Sequence, residues 1–286
     1  MNENTSGNAS ALTDLAADKM PAATMPRNPL ALPAPETLAA FAPVGREIEN
    51  RGIVGFRDGH AKARPFHMLR AQVLSLCEEH NWTNLGIVSA APGAGKSFVA
   101  ANLAAALSRK PGLDVYLVDC DLRRPAVASG FGLTLTGGLE TFLDGSAGLA
   151  EIGRRVEGTS LVLFAATQRR VRSAELLAQP NFEAMIRATA ADPTRKVVIF
   201  DLPPVFAGDD ALIVLKLLDA YIHVVNAGET GRRQFEQAQK TMASTPCAGT
   251  VLNQYQGGLF DPYGYGGYGD PYQKYYSFED QSAQSA

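Results

Sequence analysis

Between about residues 84 and 254 the chain repeats one pattern: a short apolar run, a turn, then a longer helical stretch. The runs are LGIVSA (85–90), DVYLVD (114–119), SLVLFAA (160–166), KVVIFD (196–201), YIHVVNA (221–227) and GTVLN (249–253). The first leads through a glycine turn into SFVAANLAAALSR (97–109), and further helical stretches fall around 137–144, 175–178, 181–190, 209–218 and 231–243. Strands that are apolar throughout must be covered on both faces, and parallel strands need long crossovers, which helices supply. The expectation is an α/β fold, a three-layer domain whose mostly parallel central sheet is flanked by helices. Ahead of it, Phe66, Leu69, Val73 and Leu76 recur at helical spacing and predict an amphipathic helix over 66–80.

The flanks differ in kind. Residues 1–50 are rich in Ala, Pro, Ser, Thr and Asn, too poor in apolar area to offset their ordering entropy, and predict a disordered or loosely attached arm, part of which could add an extended stretch to a folded surface or a neighbouring subunit. The folded domain is expected over 51–256. Residues 257–286 form a Gly/Tyr-rich tail holding six of the chain's nine tyrosines: Tyr263, Tyr265, Tyr268, Tyr272, Tyr275 and Tyr276. With 26 Lys plus Arg against 29 Asp plus Glu, the chain lacks the basic excess of nucleic-acid coats, so no nucleic-acid partner is expected. Three scattered cysteines make neither a disulfide framework nor a four-ligand zinc pattern. No basic-then-apolar leader opens the chain and no apolar run nears the ~20 residues of a membrane span, which predicts a cytoplasmic protein.

The turn after the first strand reads Ala90-Ala91-Pro92-Gly93-Ala94-Gly95-Lys96-Ser97. It meets the phosphate-loop form Gly-x4-Gly-Lys-Ser/Thr except at its first position, where alanine replaces glycine. Gly93 and Gly95 allow a tight turn whose amides point inward, and the following helix sets its positive end under the phosphates. Lys96 can reach the β- and γ-phosphoryl oxygens, and the Ser97 hydroxyl can complete a Mg²⁺ shell. Alanine at 90 is tolerable unless that residue needs a positive φ. Asp119 and Asp121 end the second strand with both carboxylates on one face, and Asp201 ends the KVVIFD strand. Three strand-end carboxylates near one phosphate loop suit Mg²⁺ and its waters, with Ser97, Asp119 and Asp201 as the metal-side candidates. The nucleotide-side candidates are Gly93, Ala94, Gly95, Lys96, Ser97 and Phe98.

Taken together, A-P-G-A-G-K-S, V-D-C-D-L-R-R-P (118–125) and I-F-D-L-P-P (199–204) resemble the bacterial tyrosine autokinases of capsule and exopolysaccharide biosynthesis. That family sits within the wider group of MinD- and ParA-like P-loop ATPases. The likeness runs from about 64 to 255 and includes GLETFLDG (138–145), SAELLAQPNFEAMI (173–186) and GTVLNQ (249–254). The resemblance implies an ATP- and Mg²⁺-dependent protein-tyrosine kinase. Lys96, Asp119, Asp121 and Asp201 would be its catalytic residues, with either Asp119 or Asp121 orienting or deprotonating the tyrosine. Asn253 would contact the adenine. The tail tyrosines would be phosphorylated by a neighbouring copy in a homo-oligomer, as in the rings of this family. The implied partners are an inner-membrane chain-length or export protein whose cytoplasmic segment activates the kinase and recruits it to the membrane, and a protein-tyrosine phosphatase.

The sequence departs from that family in places. A Glu-x2-Arg-x2-Arg helix reads Arg64, His67 and Arg70; Asp-Thr-Pro-Pro reads Asp201-Leu202-Pro203-Pro204; and an Asn-Pro pair reads Arg172-Ser173. Two alternative functions remain: an ATP-binding scaffold of the polysaccharide machinery with vestigial phosphotransfer, and a MinD/ParA-like positioning ATPase. The second loses ground because Ala91 replaces that group's signature lysine, and because the end of the chain is not a basic amphipathic helix.

Overall fold

Eight strands form a single sheet: β1 (Ala40–Phe41), β2 (Asn84–Ser89), β3 (Asp114–Asp119), β4 (Arg154–Val156), β5 (Leu161–Phe164), β6 (Lys196–Asp201), β7 (Ala220–Asn226) and β8 (Cys247–Asn253). The structure is a computed structural model that describes residues 31–43, 45–58, 61–167, 170, 172–191 and 195–255. The order across the sheet is β1-β4-β5-β3-β6-β2-β7-β8. Every neighbouring pair is parallel except β4 with β5. The helices are α1 (Gly45–Asn50), α2 (Arg64–His80), α3 (Lys96–Leu107), α4 (Val127–Phe131), α5 (Leu139–Leu143), α6 (Leu149–Ile152), α7 (Ser173–Leu177), α8 (Pro180–Ala191), α9 (Asp210–Leu215) and α10 (Arg232–Thr241).

Alternation along the central strands divides the core in two. Val115 and Leu117 of β3 join Val197 and Ile199 of β6 beneath α2, α3 and α4. Their neighbours Tyr116, Val118, Val198 and Phe200 face the other way, against residues of α5 to α10. The same strand thus feeds two cores, which is why its sequence is apolar at consecutive positions. Helix α3 is buried from Val99 to Leu107, and five of its twelve residues are alanine. Small side chains let it lie close to β2, β3 and β6 while α2 covers its outer side. This three-layer arrangement is the one the sequence pattern implies.

Residues 31–50 fall in the segment expected to be a loose arm, yet those described belong to the domain. Ala40 and Phe41 pair with Arg155 and Val156 of β4, Leu32, Leu38 and Ile48 are buried, and the Tyr116 hydroxyl donates to the Pro33 carbonyl at 3.2 Å. A proline-rich segment cannot build its own core, but it can add a short edge strand and a few apolar anchors to an existing one. Strand β4 is not among the predicted strands. Its residues, Arg154, Arg155 and Val156, carry no apolar period, and the antiparallel β5 fixes them in place. The tail tyrosines and residues 1–30 lie outside the described residues.

Among the described residues no helix is long and apolar enough to cross a membrane.

Candidate active site

The central strands all present their C-terminal ends at the same edge, where ligands of open α/β sheets gather. β2 runs out at Ser89 and the chain turns back through residues 90–95 into α3. Gly93 and Gly95 hold the left-handed conformation, with φ of 84° and 82°, which a side chain at either position would oppose. Asn81 and Gln254 are the only non-glycine residues with positive φ among those described. Ala90 therefore meets no backbone objection, and its buried methyl sits in the core beside Val88 and Cys120.

Strand pairing sets the acids. β3 and β6 are in register with Asp119 opposite Asp201, and Ile87 of β2 pairs with Asp201 on its other side. Lys96, the first residue of α3, donates from Nζ to Asp121 Oδ2 at 2.9 Å. One oxygen of Asp119 accepts the amides of Ala126 and Val127, both at 3.0 Å, which fixes the carboxylate against the start of α4. Its other oxygen and both oxygens of Asp201 are buried without a hydrogen-bond partner among the described residues. Buried carboxylate oxygens left unpaired are costly unless a ligand completes them.

The titration behaviour follows from that crowding. Burial pushes Asp201 up to about 6, against the opposing pull of Lys96 and of the adjacent Ser97 hydroxyl. Burial and the facing Asp201 charge also raise Asp119 well above the carboxylate range. For Lys96, burial works to lower the pKa, but the surrounding Asp201, Asp121 and Asp119 charges outweigh it and keep the ammonium charged. One lysine among three acids leaves a net negative pocket, the electrostatic setting of a cation site. Among the described residues no group of three or more His, Cys, Asp or Glu is placed to hold a metal unaided. A Mg²⁺ ion here would draw most ligands from phosphate and water, with Ser97 and a carboxylate completing the set, which is how that ion is usually bound.

The structure thus brings Gly93, Ala94, Gly95, Lys96, Ser97, Asp119, Asp121 and Asp201 together. Phe98 is turned elsewhere: its ring packs edge-on against Phe66 with centroids 5.5 Å apart. Asn253 reaches the loop itself, its amide donating to the Ala94 carbonyl at 2.8 Å. Gln254 does the same to Gly93 at 2.8 Å, a clasp that sequence reading missed because the two partners lie 161 residues apart. A second missed contact joins Arg123, which donates to Ser173 Oγ and forms an ion pair with buried Asp210, each at 2.9 Å.

The departures find physical roles. Ser173, where the resembled family has proline, accepts the Arg123 bond. Leu202 is buried against Gly86 and donates its amide to Ile87, so an apolar contact replaces a hydroxyl. His67 Nε2 lies 3.4 Å from the Gly55 carbonyl, and Arg70 donates to Ala106 at the end of α3.

The family described as CobQ/CobB/MinD/ParA nucleotide binding domain matches residues 85–259. The chain belongs to that family. Its relatives narrow the branch. Tyrosine-protein kinase YwqD of Bacillus subtilis is 29% identical over 204 residues, covering 71% of this chain and 85% of that protein. Succinoglycan biosynthesis transport protein ExoP of Rhizobium meliloti is 29% identical over 175 residues, 59% of this chain but 22% of that protein. The chain likewise spans only 22% and 26% of two further relatives named tyrosine-protein kinases. The kinase domain of Escherichia coli tyrosine kinase ETK shares the fold, with a TM-score of 0.64 at 20% identity, over 81% of this chain and 93% of that domain.

Proposed function

We propose that this nucleotide-binding domain is an ATP-dependent protein-tyrosine kinase that phosphorylates the tyrosines of its own C-terminal tail, one copy acting on another, and so regulates exopolysaccharide or capsule polymerisation and export. The observation that carries the reading is the half-buried Lys96–Asp121 pair on a phosphate loop, beside the two strand-end acids Asp119 and Asp201. The name of YwqD and the tail's six tyrosines direct that chemistry to tyrosine rather than to water.

In this reading the loop amides and the charged Lys96 hold the ATP phosphates and stabilise charge that grows on the transferred group, where preorganised electrostatics does most of the catalysis. A bound Mg²⁺, held through Ser97 and Asp119 or Asp201, would supply further neutralisation of phosphate charge. The tyrosine oxygen forms a bond to the γ-phosphorus as the bond to the β–γ bridging oxygen breaks, and ADP leaves. The phenol, with an ordinary pKa of ~10, gives its proton to Asp119 or Asp121. Asn253 and Gln254 brace the loop from outside, so the root of the tail is tied to the nucleotide site.

Each phosphate adds about −1.5 to −2 charge, so a phosphorylated tail would repel its neighbours and loosen a homo-oligomer. The relation to ExoP suggests a membrane export protein as activating partner, and reversal would need a protein-tyrosine phosphatase. Transfer between copies is tested by mixing a Lys96→Met chain with an active chain whose six tail tyrosines are phenylalanine. Phosphotyrosine on the Lys96→Met chain is expected. Its absence, with the unaltered chain active alone, would contradict transfer in trans.

A further inference from the structure

The tail is not a uniform run of tyrosines. It contains the same tripeptide twice, Asp261-Pro262-Tyr263 and Asp270-Pro271-Tyr272. A residue before proline is biased to extended backbone and proline fixes its own φ, which narrows the conformations that an Asp-Pro-Tyr sequence can adopt. The other tyrosines have no acid at that position. Tyr276 has the opposite charge there, Lys274, and residues 257–286 as a whole carry four acids against that one base.

Two arginines are tied through their backbone to the segment that begins at Asp121. Arg124 lies three residues after Asp121, its amide donating to Asp121 Oδ1 at 3.1 Å. Arg170 is stitched to the same segment, its amide donating to the Leu122 carbonyl at 2.9 Å. Two nearby arginines are already neutralised, Arg123 by Asp210 and Arg172 by Glu175. Arg124 is exposed and forms no ion pair among the described residues, and Arg170 keeps a buried Nε with no hydrogen-bond partner there. Guanidinium groups match carboxylates in geometry and stay charged.

Resting on the kinase reading, we propose that Arg124 and Arg170 bind the aspartate of each Asp-Pro-Tyr repeat and thereby make Tyr263 and Tyr272 the preferred acceptors. In this proposal the residue two before an accepted tyrosine lies against the 122–124 segment that follows the site acids, so an acid there gains an ion pair and a lysine meets repulsion. Tyr276, with Lys274 at that position, is the poorest acceptor. Exposed ion pairs of this kind change a rate about two- to fivefold, enough to order the sites without forbidding any.

The test is site-resolved phosphopeptide mass spectrometry of the full chain at early times with Mg-ATP. Tyr263 and Tyr272 are expected to lead Tyr265 and Tyr268 about two- to fivefold, with Tyr276 last. In an Arg124→Glu/Arg170→Glu chain the order should invert, with Tyr276 ahead, which general damage to the fold cannot produce. If that chain is inactive at every site, an Asp261→Asn/Asp270→Asn chain decides: Tyr263 and Tyr272 should fall to the rate of Tyr265. Equal rates at all six tyrosines, or an order that neither variant changes, would overturn the proposal and leave the kinase reading intact. No phosphotyrosine anywhere would overturn both.

Discussion

Asp201 shows how one residue can be kept for a ligand at the expense of the empty fold. Both its oxygens are buried and, with only the Ser97 hydroxyl adjacent, make no hydrogen bond of ordinary geometry among the described residues, and its pKa is pushed up to about 6 against ~4 in an unfolded chain. A raised carboxyl pKa means the fold prefers the protonated acid. That stabilisation is complete below about pH 4 and is lost as pH rises through 6. Without nucleotide or cation, Asp201→Asn should therefore be more stable than the unaltered chain at pH 8, by up to about 3 kcal/mol, and the gap should close towards pH 4. Thermal unfolding across that range measures it, and equal midpoints at pH 8 would contradict the argument. The same substitution should weaken Mg-ATP binding. Such residues were legible from sequence because each acid ends an uninterrupted apolar run, and the loop is a local Gly-Lys-Ser signal. The Gln254–Gly93 clasp and the Arg123–Asp210 pair were not, since each joins segments far apart in sequence by polar contacts that leave no periodic trace.

At the scale of elements, α3 does more than begin with Lys96. Its Asn102 is buried and satisfies four backbone groups at once. The side chain accepts the amides of Val54 and Gly55 and donates to the carbonyls of Gly52 and Phe98. One residue thus clamps the 52–55 turn onto the helix that carries the phosphate loop, and Gly55 leaves no room for a Cβ against the Asn102 carbonyl. Asn102→Ala strands two buried amides and should cost about 2–4 kcal/mol in denaturant unfolding. Hydrogen exchange should rise first at Val54 and Gly55; unchanged exchange there would contradict the clamp. Five of the six predicted strands were legible because both faces of each are buried; β8, predicted as a buried strand from GTVLN, is instead an edge strand exposed or half-buried along its length, held by its pairing with β7. β1 and β4 were not, because edge pairing holds strands too short and too polar to show a pattern.

For the whole molecule, the sheet ends on β8, whose last residue Asn253 and follower Gln254 grip the phosphate loop before the tail begins. The two large cores and the phosphate loop are built from residues between 32 and 254. A chain ending at Tyr255 should keep its unfolding midpoint and ATP binding while accepting no phosphate, and it should still phosphorylate the tail of a Lys96→Met chain. Loss of nucleotide binding on truncation would place part of the site in the tail.

The most direct test of the account is phosphotyrosine mapping on the full chain and on Lys96→Met after incubation with Mg-ATP. Removing the lysine should slow transfer by about 10²–10³-fold, the usual effect of deleting one transition-state charge stabiliser. The account predicts phosphate confined to Tyr263–Tyr276 in the unaltered chain and almost none in the variant. Equal phosphorylation of the two, or tight ATP binding with no phosphotyrosine in either, would contradict it.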